Sequence, residues 1–127
     1  MAQLTIDHGF FTNHQEVMQD IAKTGFWPTT YVSKQSPELP VHDHDYDIIG
    51  YVLQGQGYLL DANETRIEIN AGDRLNIPKG AAHAEGAVTG TMIYIVTVNE
   101  PVGLKRALTP RRLRGPMPDL SQLNVVI

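Results

Sequence analysis

Short apolar runs that alternate with polar positions dominate the middle of this chain. Between residues 28 and 98 they read TTYVSK, DIIGYVLQ, YLLD, TRIEI, RLNIP and TMIYIVTV, and turn residues such as glycine, asparagine and proline separate them. A period of two is typical of β-strands, and about eight short strands with closely spaced turn signals predict an all-β sandwich or barrel. Because no long helical segments lie between these strands, a parallel βαβ sheet does not fit.

The first 27 residues carry a different pattern, which predicts one short helix. Asn13 is a good N-cap, Glu16 follows three residues later as in a capping box, and Gly25 is a suitable C-terminal stop. The residues expected on or beside the buried stripe of this helix are Val17, Met18, Ile21 and Ala22.

The chain becomes irregular and basic after Pro101. Prolines at 110, 116 and 118 preclude a continuous helix or a central strand, whereas the final LNVVI is apolar enough to pair with an edge strand. We therefore expect a leader with a short helix (1–27), a barrel (28–100) and a C-terminal extension (101–127) that packs on the barrel or on a partner subunit. The apolar end and the aromatic leader further suggest a homodimer.

Composition limits the chemistry that this chain can perform. Its 127 residues are 42% hydrophobic and 19% charged, as expected of one globular domain with a real core. The chain has no cysteine, so thiolate nucleophiles and thiolate metal ligands are excluded. Any metal must be held by nitrogen and oxygen.

Charge and hydropathy argue against nucleic acid and membranes as partners. The net charge is −4, and the cluster of five basic residues between 105 and 114 has no interleaved aromatics. The longest apolar-rich run, residues 92–98, is far too short to cross a bilayer, and no signal-peptide pattern opens the sequence. We expect a cytoplasmic protein with a small-molecule partner.

The first candidate site is the segment HDHDYD, residues 42–47. Alternate side chains of a strand share a face, so His42 and His44 point the same way. Two neutral imidazoles so placed can share a Zn, Fe, Ni or Cu ion. The competing interpretation is a solvated loop, which the aspartates at 43, 45 and 47 favour.

A second segment, residues 72–86, supplies a third imidazole. A glycine turn opens it, Pro78 ends its strand, and Gly80 permits a tight loop that delivers His83. Glu85 lies two residues further on and shares the face of His83 on an extended backbone.

Together the two segments resemble the two motifs of the cupin superfamily, G-x5-H-x-H-x3,4-E-x6-G and G-x5-P-x-G-x2-H-x3-N. The matching positions are His42, His44 and Gly55 in the first motif and Gly72, Pro78, Gly80 and His83 in the second. The resemblance covers about residues 28–98 and implies a double-stranded β-helix, a jelly-roll-like barrel with the site inside. Small cupins also tend to pair, which adds to the case for a homodimer.

The departures from these motifs leave the ligand set open. The motif glutamate falls on Ile48, the motif asparagine falls on Ala87, and the opening glycine is absent. Asp47 is one substitute for the glutamate, although only a bulge would turn it inward. Glu85 is the better placed substitute, because it follows His83 by two residues and so shares its face, as His44 does with His42. Pirin-type cupins use a similar His-x-Glu. In a third arrangement, water completes a site of three histidines.

The resemblance therefore implies one divalent transition metal, Zn, Fe, Mn or Ni, inside the barrel. Its expected ligands are His42, His44 and His83, with Glu85 or Asp47. Such an ion would act on a small carbonyl- or carboxylate-bearing metabolite in isomerase, lyase, dioxygenase or decarboxylase chemistry, among which the fold does not choose.

Two further questions concern the ligand. Gln54, Tyr58 and Tyr94 are the candidate substrate contacts, although strand aromatics more often fill a core. The alternative function is a non-catalytic cupin, with or without metal, that binds a sugar or carboxylate as a sensor or accessory domain. Loss of the motif glutamate at Ile48 would follow naturally from that role.

Overall fold

Two antiparallel sheets form most of the protein in this computed structural model, which describes residues 2–118 and 125–126. The elements are β1 (Thr5–Asp7), α1 (His14–Thr24), β2 (Trp27–Ser33), β3 (Ile48–Gln54), β4 (Gln56–Leu60), β5 (Arg66–Asn70), β6 (Arg74–Ile77), β7 (Ala84–Glu85), β8 (Met92–Val98), α2 (Leu104–Ala107) and β9 (Val125–Val126). The all-β architecture with a short N-terminal helix is confirmed. None of the described helices is long and apolar enough to span a membrane.

The strand order is not the sequence order, because successive strands cross between the sheets. The larger sheet runs β1-β6-β3-β8-β2-β9, and the smaller one runs β5-β4-β7. In the larger sheet Ile48 pairs with Ile77 on one side and with Val98 on the other. The register between β3 and β8 shifts between Val52 and Gln54, where the ladder is irregular.

Alternation along the strands gives the larger sheet two buried faces. One face meets the smaller sheet in a single apolar cluster, to which Ile48 and Leu75 contribute from the larger sheet and Leu59 and Ile69 from the smaller one. The opposite face packs Tyr51 and other side chains against α1. Every β3 residue from Gly50 to Val52 is therefore buried, whichever way it points.

The N-terminal helix begins and ends as predicted. Asn13 accepts a hydrogen bond from the Glu16 amide, and Gly25 closes the helix in the left-handed conformation at φ 71°. The buried stripe is narrower than predicted, because only Val17 and Ile21 are buried. Met18 is 46% exposed and Ala22 is exposed, since α1 turns only its innermost edge toward the sheet.

The turn between β3 and β4 requires glycine at position 55. Gly55 has φ 94°, and an added Cβ would lie 2.6 Å from the Thr91 carbonyl oxygen. A side chain at this position would be both strained and in collision with a neighbouring backbone.

The C-terminal extension lies against its own chain. Arg111 forms an antiparallel bridge with Asp43, and the Arg114 amide donates to the Val41 carbonyl at 2.8 Å. Val125 and Val126 pair with β2 at Ser33 and Val32, so this part of the predicted terminal strand joins an edge within the chain. Positions 123, 124 and 127 of LNVVI lie outside the described residues.

Candidate metal centre

Three imidazoles and one carboxylate converge in the interior of the protein. The potential ligand atoms of His42, His44, His83 and Glu85 all lie within 4.8 Å of one another. The shortest approaches to the Glu85 carboxylate are 3.0 Å from Nε2 of His42, 3.4 Å from Nε2 of His83 and 3.8 Å from Nε2 of His44. All three histidines are buried.

Backbone pairing explains this convergence. The amide and carbonyl of His42 exchange hydrogen bonds with those of His83 at 2.8 and 2.9 Å, which fixes the two motif segments side by side. His44 shares the face of His42, and Glu85 shares the face of His83. Glu85 is itself held in β7 through its pairing with Leu59 of β4.

Backbone carbonyls determine which nitrogen of each ring is free. Nδ1 of every histidine in the group faces a carbonyl oxygen, and a carbonyl can only accept, so Nδ1 carries the proton. The acceptors for His42, His83 and His44 are the carbonyls of Pro40, Ala81 and Thr109, at 2.7, 2.8 and 3.3 Å. In the neutral rings the lone pairs are therefore on Nε2, and this nitrogen faces Glu85. Fixing the tautomer through the second ring nitrogen is how metal-ligating histidines are oriented.

The buried polar atoms of this group fit a cation. Nε2 of His42, Nε2 of His83 and Oε2 of Glu85 are buried without a hydrogen-bond partner. Such atoms are costly unless something satisfies them. Three imidazole nitrogens and one carboxylate oxygen are a donor set that suits Zn, Fe, Mn or Ni. The group is therefore able to bind a divalent metal ion.

The electrostatics of the group keep Glu85 ionised. Burial alone would raise the pKa of Glu85, but the imidazoles of His42, His44 and His83 outweigh it and hold that pKa well below its usual range. Burial likewise lowers the pKa of His42, yet the Glu85 carboxylate more than offsets this and raises it. The carboxylate and the imidazoles thus stabilise a positive charge held between them, and a divalent ion in that position would supply it.

The structure brings Glu85, rather than Asp47, to the histidines. The Asp47 carboxylate instead accepts a hydrogen bond from the Lys79 amide at 2.8 Å, outside the group. The ladder between β3 and β8 is regular from Ile48, the residue after Asp47, to Val52, so the register shift of β3 lies well away from Asp47. Ile48, at the position of the motif glutamate, lines the cavity beside the group.

The three candidate substrate contacts separate into two sets. Tyr58 and Tyr94 line a cavity of about 190 Å³ that also includes Glu85. Gln54 lies exposed at the end of β3 and does not line it, because the register shift after Val52 breaks the parity on which its assignment depended.

Tyr31 is a further cavity residue, which the sequence motifs did not indicate. Tyr31 pairs with Tyr94 across β2 and β8, and their ring centroids lie 5.7 Å apart. Burial and the Glu85 charge raise the pKa of Tyr31, and burial also raises that of Tyr94, so both hydroxyls stay neutral at physiological pH. Tyr31 and Ser33 lie two residues apart on β2 and therefore share a face, and both line the cavity. The strand period of β2 could thus have indicated Tyr31.

The aspartates around the histidines differ in environment. Asp45 is half-exposed and pairs with Arg111 at 2.5 Å, as a solvated loop would allow. For Asp43 the solvated interpretation is wrong: it is 4% exposed and accepts from Nε of Arg112 at 2.5 Å. Alternation turns Asp43 away from the histidines and into the C-terminal extension. The extension thus binds the histidine segment through Arg112 and orients His44 through the Thr109 carbonyl.

Comparison with known proteins agrees with this combination of a two-sheet β-barrel and a histidine-lined interior. A family model described as a cupin domain matches residues 30–98, and the chain belongs to this family. The predicted cupin fold is thereby confirmed. A comparison with curated protein sequences found no match.

Solved structures show the same fold at low sequence identity. A DMSP lyase from Ruegeria pomeroyi is 18% identical with a TM-score of 0.52, and the match covers 61% of this chain but only 39% of the lyase. A DUF861 family protein from Thermotoga maritima is 17% identical with a TM-score of 0.51, and the match covers 75% of this chain and 98% of that protein. These likenesses concern the fold alone.

The Asp43–Arg112 pair gives a prediction about stability. Arg112→Gln leaves a buried carboxylate without its cation, so we expect the free energy of unfolding to fall by about 1–3 kcal/mol. Arg111→Gln is the matched control, because its partner Asp45 is half-exposed and such pairs contribute at most about 1 kcal/mol. Urea unfolding of both variants at pH 7 measures the difference. Equal effects of the two substitutions would show that Asp43 does not depend on Arg112.

Proposed function

We propose that this chain binds one divalent transition-metal ion and uses it on a small carbonyl- or carboxylate-bearing molecule inside the barrel. The proposed ligands are Nε2 of His42, His44 and His83 and the carboxylate of Glu85. The observation that carries the proposal is the fixed orientation of three Nε2 lone pairs toward a carboxylate, with buried atoms of the group lacking any other partner.

In this proposal Glu85 replaces the glutamate that the first motif lacks. The motif position, Ile48, lies on β3 of the larger sheet, whereas Glu85 lies on β7 of the smaller sheet and reaches the same imidazoles from there. Oε2 of Glu85 is buried against the imidazoles, whereas the side chain as a whole is 40% exposed and lines the cavity, so part of it is also accessible to a bound molecule. One carboxylate would then both complete the metal site and border the ligand.

The cavity supports chemistry at an oxygen-bearing group. A bound divalent ion supplies Lewis acidity, which polarises a carbonyl or carboxylate oxygen. The residues of the chain would orient the molecule: Tyr31 and Tyr94 offer neutral hydroxyls, and apolar side chains such as Ile48 and Val96 exclude water. Isomerase, lyase and dioxygenase chemistry are the classes that we propose for this arrangement.

Substitution of the two candidate carboxylates tests the metal site. In protein purified without a histidine tag, we expect one equivalent of zinc to bind, and Glu85→Gln to weaken that binding by about 100-fold or more, since a charged ligand is lost. Asp47→Asn is the matched control and should retain wild-type affinity, because its side chain lies outside the group. Calorimetry and elemental analysis give affinity and stoichiometry. No zinc uptake by the wild type, or equal loss in both variants, would refute the site.

An apolar lining in which Glu85 is the only carboxylate among the described residues also suits the non-catalytic alternative, a binding protein for a small ligand. A measurement of catalytic turnover distinguishes the enzyme from the binding protein. We expect metal-loaded wild type, incubated with a mixture of small carbonyl and carboxylate compounds, to consume at least one of them as followed by mass spectrometry. The His42→Ala/His83→Ala double variant should consume none. Retention of a compound without chemical change would favour the binding protein instead.

The homodimer stays a prediction. Besides the aromatic leader, the exposed Trp27 at the start of β2 supports it: its side chain is 55% exposed, and β9 pairs only with the other end of β2, at Val32 and Ser33. Light scattering should give the mass of two chains, and a monomer at high protein concentration would contradict the prediction.

A further inference from the structure

The cavity presents little charge. Among the described lining residues Glu85 is the only acidic side chain, and neither lysine nor arginine takes part. Five lining residues carry a hydroxyl group, but three of these hydroxyls already donate within the protein: Tyr58 to Glu38 at 2.7 Å, Tyr94 to Sδ of Met92 at 3.1 Å and Ser33 to the Lys34 carbonyl at 3.4 Å. Away from the histidines and Glu85, the lining is made mainly of aliphatic and methionine side chains.

One wall of this cavity comes from the C-terminal extension. The larger sheet lines the cavity with apolar side chains such as Ile48 of β3, Leu75 of β6 and Met92 of β8. The extension adds a further apolar wall. The members of that wall are Leu108, Pro110 and Met117. All three lie outside residues 30–98, the part that the cupin family model matches, so this wall is an addition to the family domain.

Burial energetics decide what such a cavity can accept. A charged group loses its hydration on entry, and without a counter-ion the penalty is several kcal/mol. A second anionic group would also lie in the same cavity as the Glu85 carboxylate. An unpaired hydroxyl costs about 1–3 kcal/mol, so a polyol would lose more than it regains from lining hydroxyls that mostly donate within the protein already. Each buried methylene, in contrast, contributes about 0.8 kcal/mol.

The size of the cavity sets the scale of the molecule. Its volume is about 190 Å³. An engineered apolar cavity of roughly 150 Å³ is sufficient to bind benzene. A body the size of a phenyl or cyclohexyl ring therefore fits.

We infer that the ligand of this protein is a small, mainly apolar molecule with a single oxygen-bearing head group, and that the C-terminal wall helps to select it. Sugars, phosphorylated compounds and dicarboxylates are rejected. The role of the head group rests on the metal centre proposed above, whereas the preference for an apolar body depends only on the cavity walls.

Three hydroxamates test this preference on zinc-loaded wild-type protein. Acetohydroxamic acid has only the metal-binding head, benzohydroxamic acid adds an apolar ring, and succinic monohydroxamic acid adds a carboxylate. We expect the benzo compound to bind about 10–100-fold more tightly than the aceto compound by calorimetry, because it buries a ring. The succinic compound should bind most weakly. Binding of the succinic compound as tight as that of the benzo compound would overturn the inference.

A charge placed on the C-terminal wall tests its part in selection. Met117→Lys puts a cation at the rim of the cavity, and we expect it to strengthen binding of the succinic compound relative to the benzo compound by about tenfold. Leu113→Lys is the matched control, since Leu113 is 41% exposed, Met117 is 40% exposed, and only Met117 lines the cavity. If both variants shift the relative affinity for the two compounds equally, the C-terminal wall has no part in selecting the ligand.

Metal-free protein separates this inference from the proposed metal site. Cyclohexanol, which is uncharged and has an apolar ring, should raise the melting temperature of metal-free protein, whereas succinate should not. If zinc does not bind but cyclohexanol does, the metal proposal fails and the apolar preference stands. If zinc binds but cyclohexanol has no effect, or succinate stabilises as much, the metal site stands and the present inference fails.

Discussion

The backbone bridge between His42 and His83 is the contact on which the site depends. It joins the two motif segments through reciprocal hydrogen bonds at 2.8 and 2.9 Å, and strand alternation then carries His44 and Glu85 to the same place. Carbonyls next to each ring turn the Nε2 lone pairs inward. The cluster is thus produced by main-chain geometry before any ligand is bound, which is the preorganisation that a metal site needs.

The position of the carboxylate on β7, at Glu85, and not on β3, at Ile48, determines where the cavity is charged. With Ile48 on β3, the larger sheet presents an apolar side chain where the family motif places a charge. Among the cavity-lining residues that the structure describes, the only acidic one is Glu85 on the facing sheet. Charge is thereby confined to one small region of a largely apolar interior. Such separation favours a molecule with one polar end and one apolar end.

The C-terminal extension is part of the site rather than a solvated basic tail. Arg112 neutralises the buried Asp43, Thr109 orients His44, and Leu108 contributes to the cavity wall. The extension therefore couples the stability of the histidine segment to the shape of the cavity. Because these contacts lie outside the matched family domain, features specific to this protein are expected to reside here.

The sequence by itself determined the features that depend on local geometry. Alternation predicted the strands, Asn13 and Gly25 marked the helix, and the spacing of glycine, proline and histidine indicated a cupin with three imidazoles. It left Glu85 and Asp47 unresolved and misjudged Asp43. Those outcomes depend on strand register, on the position of a bulge and on contacts with a segment distant along the chain. Such contacts follow from how the strands and the extension pack, and a local pattern of residues does not encode them.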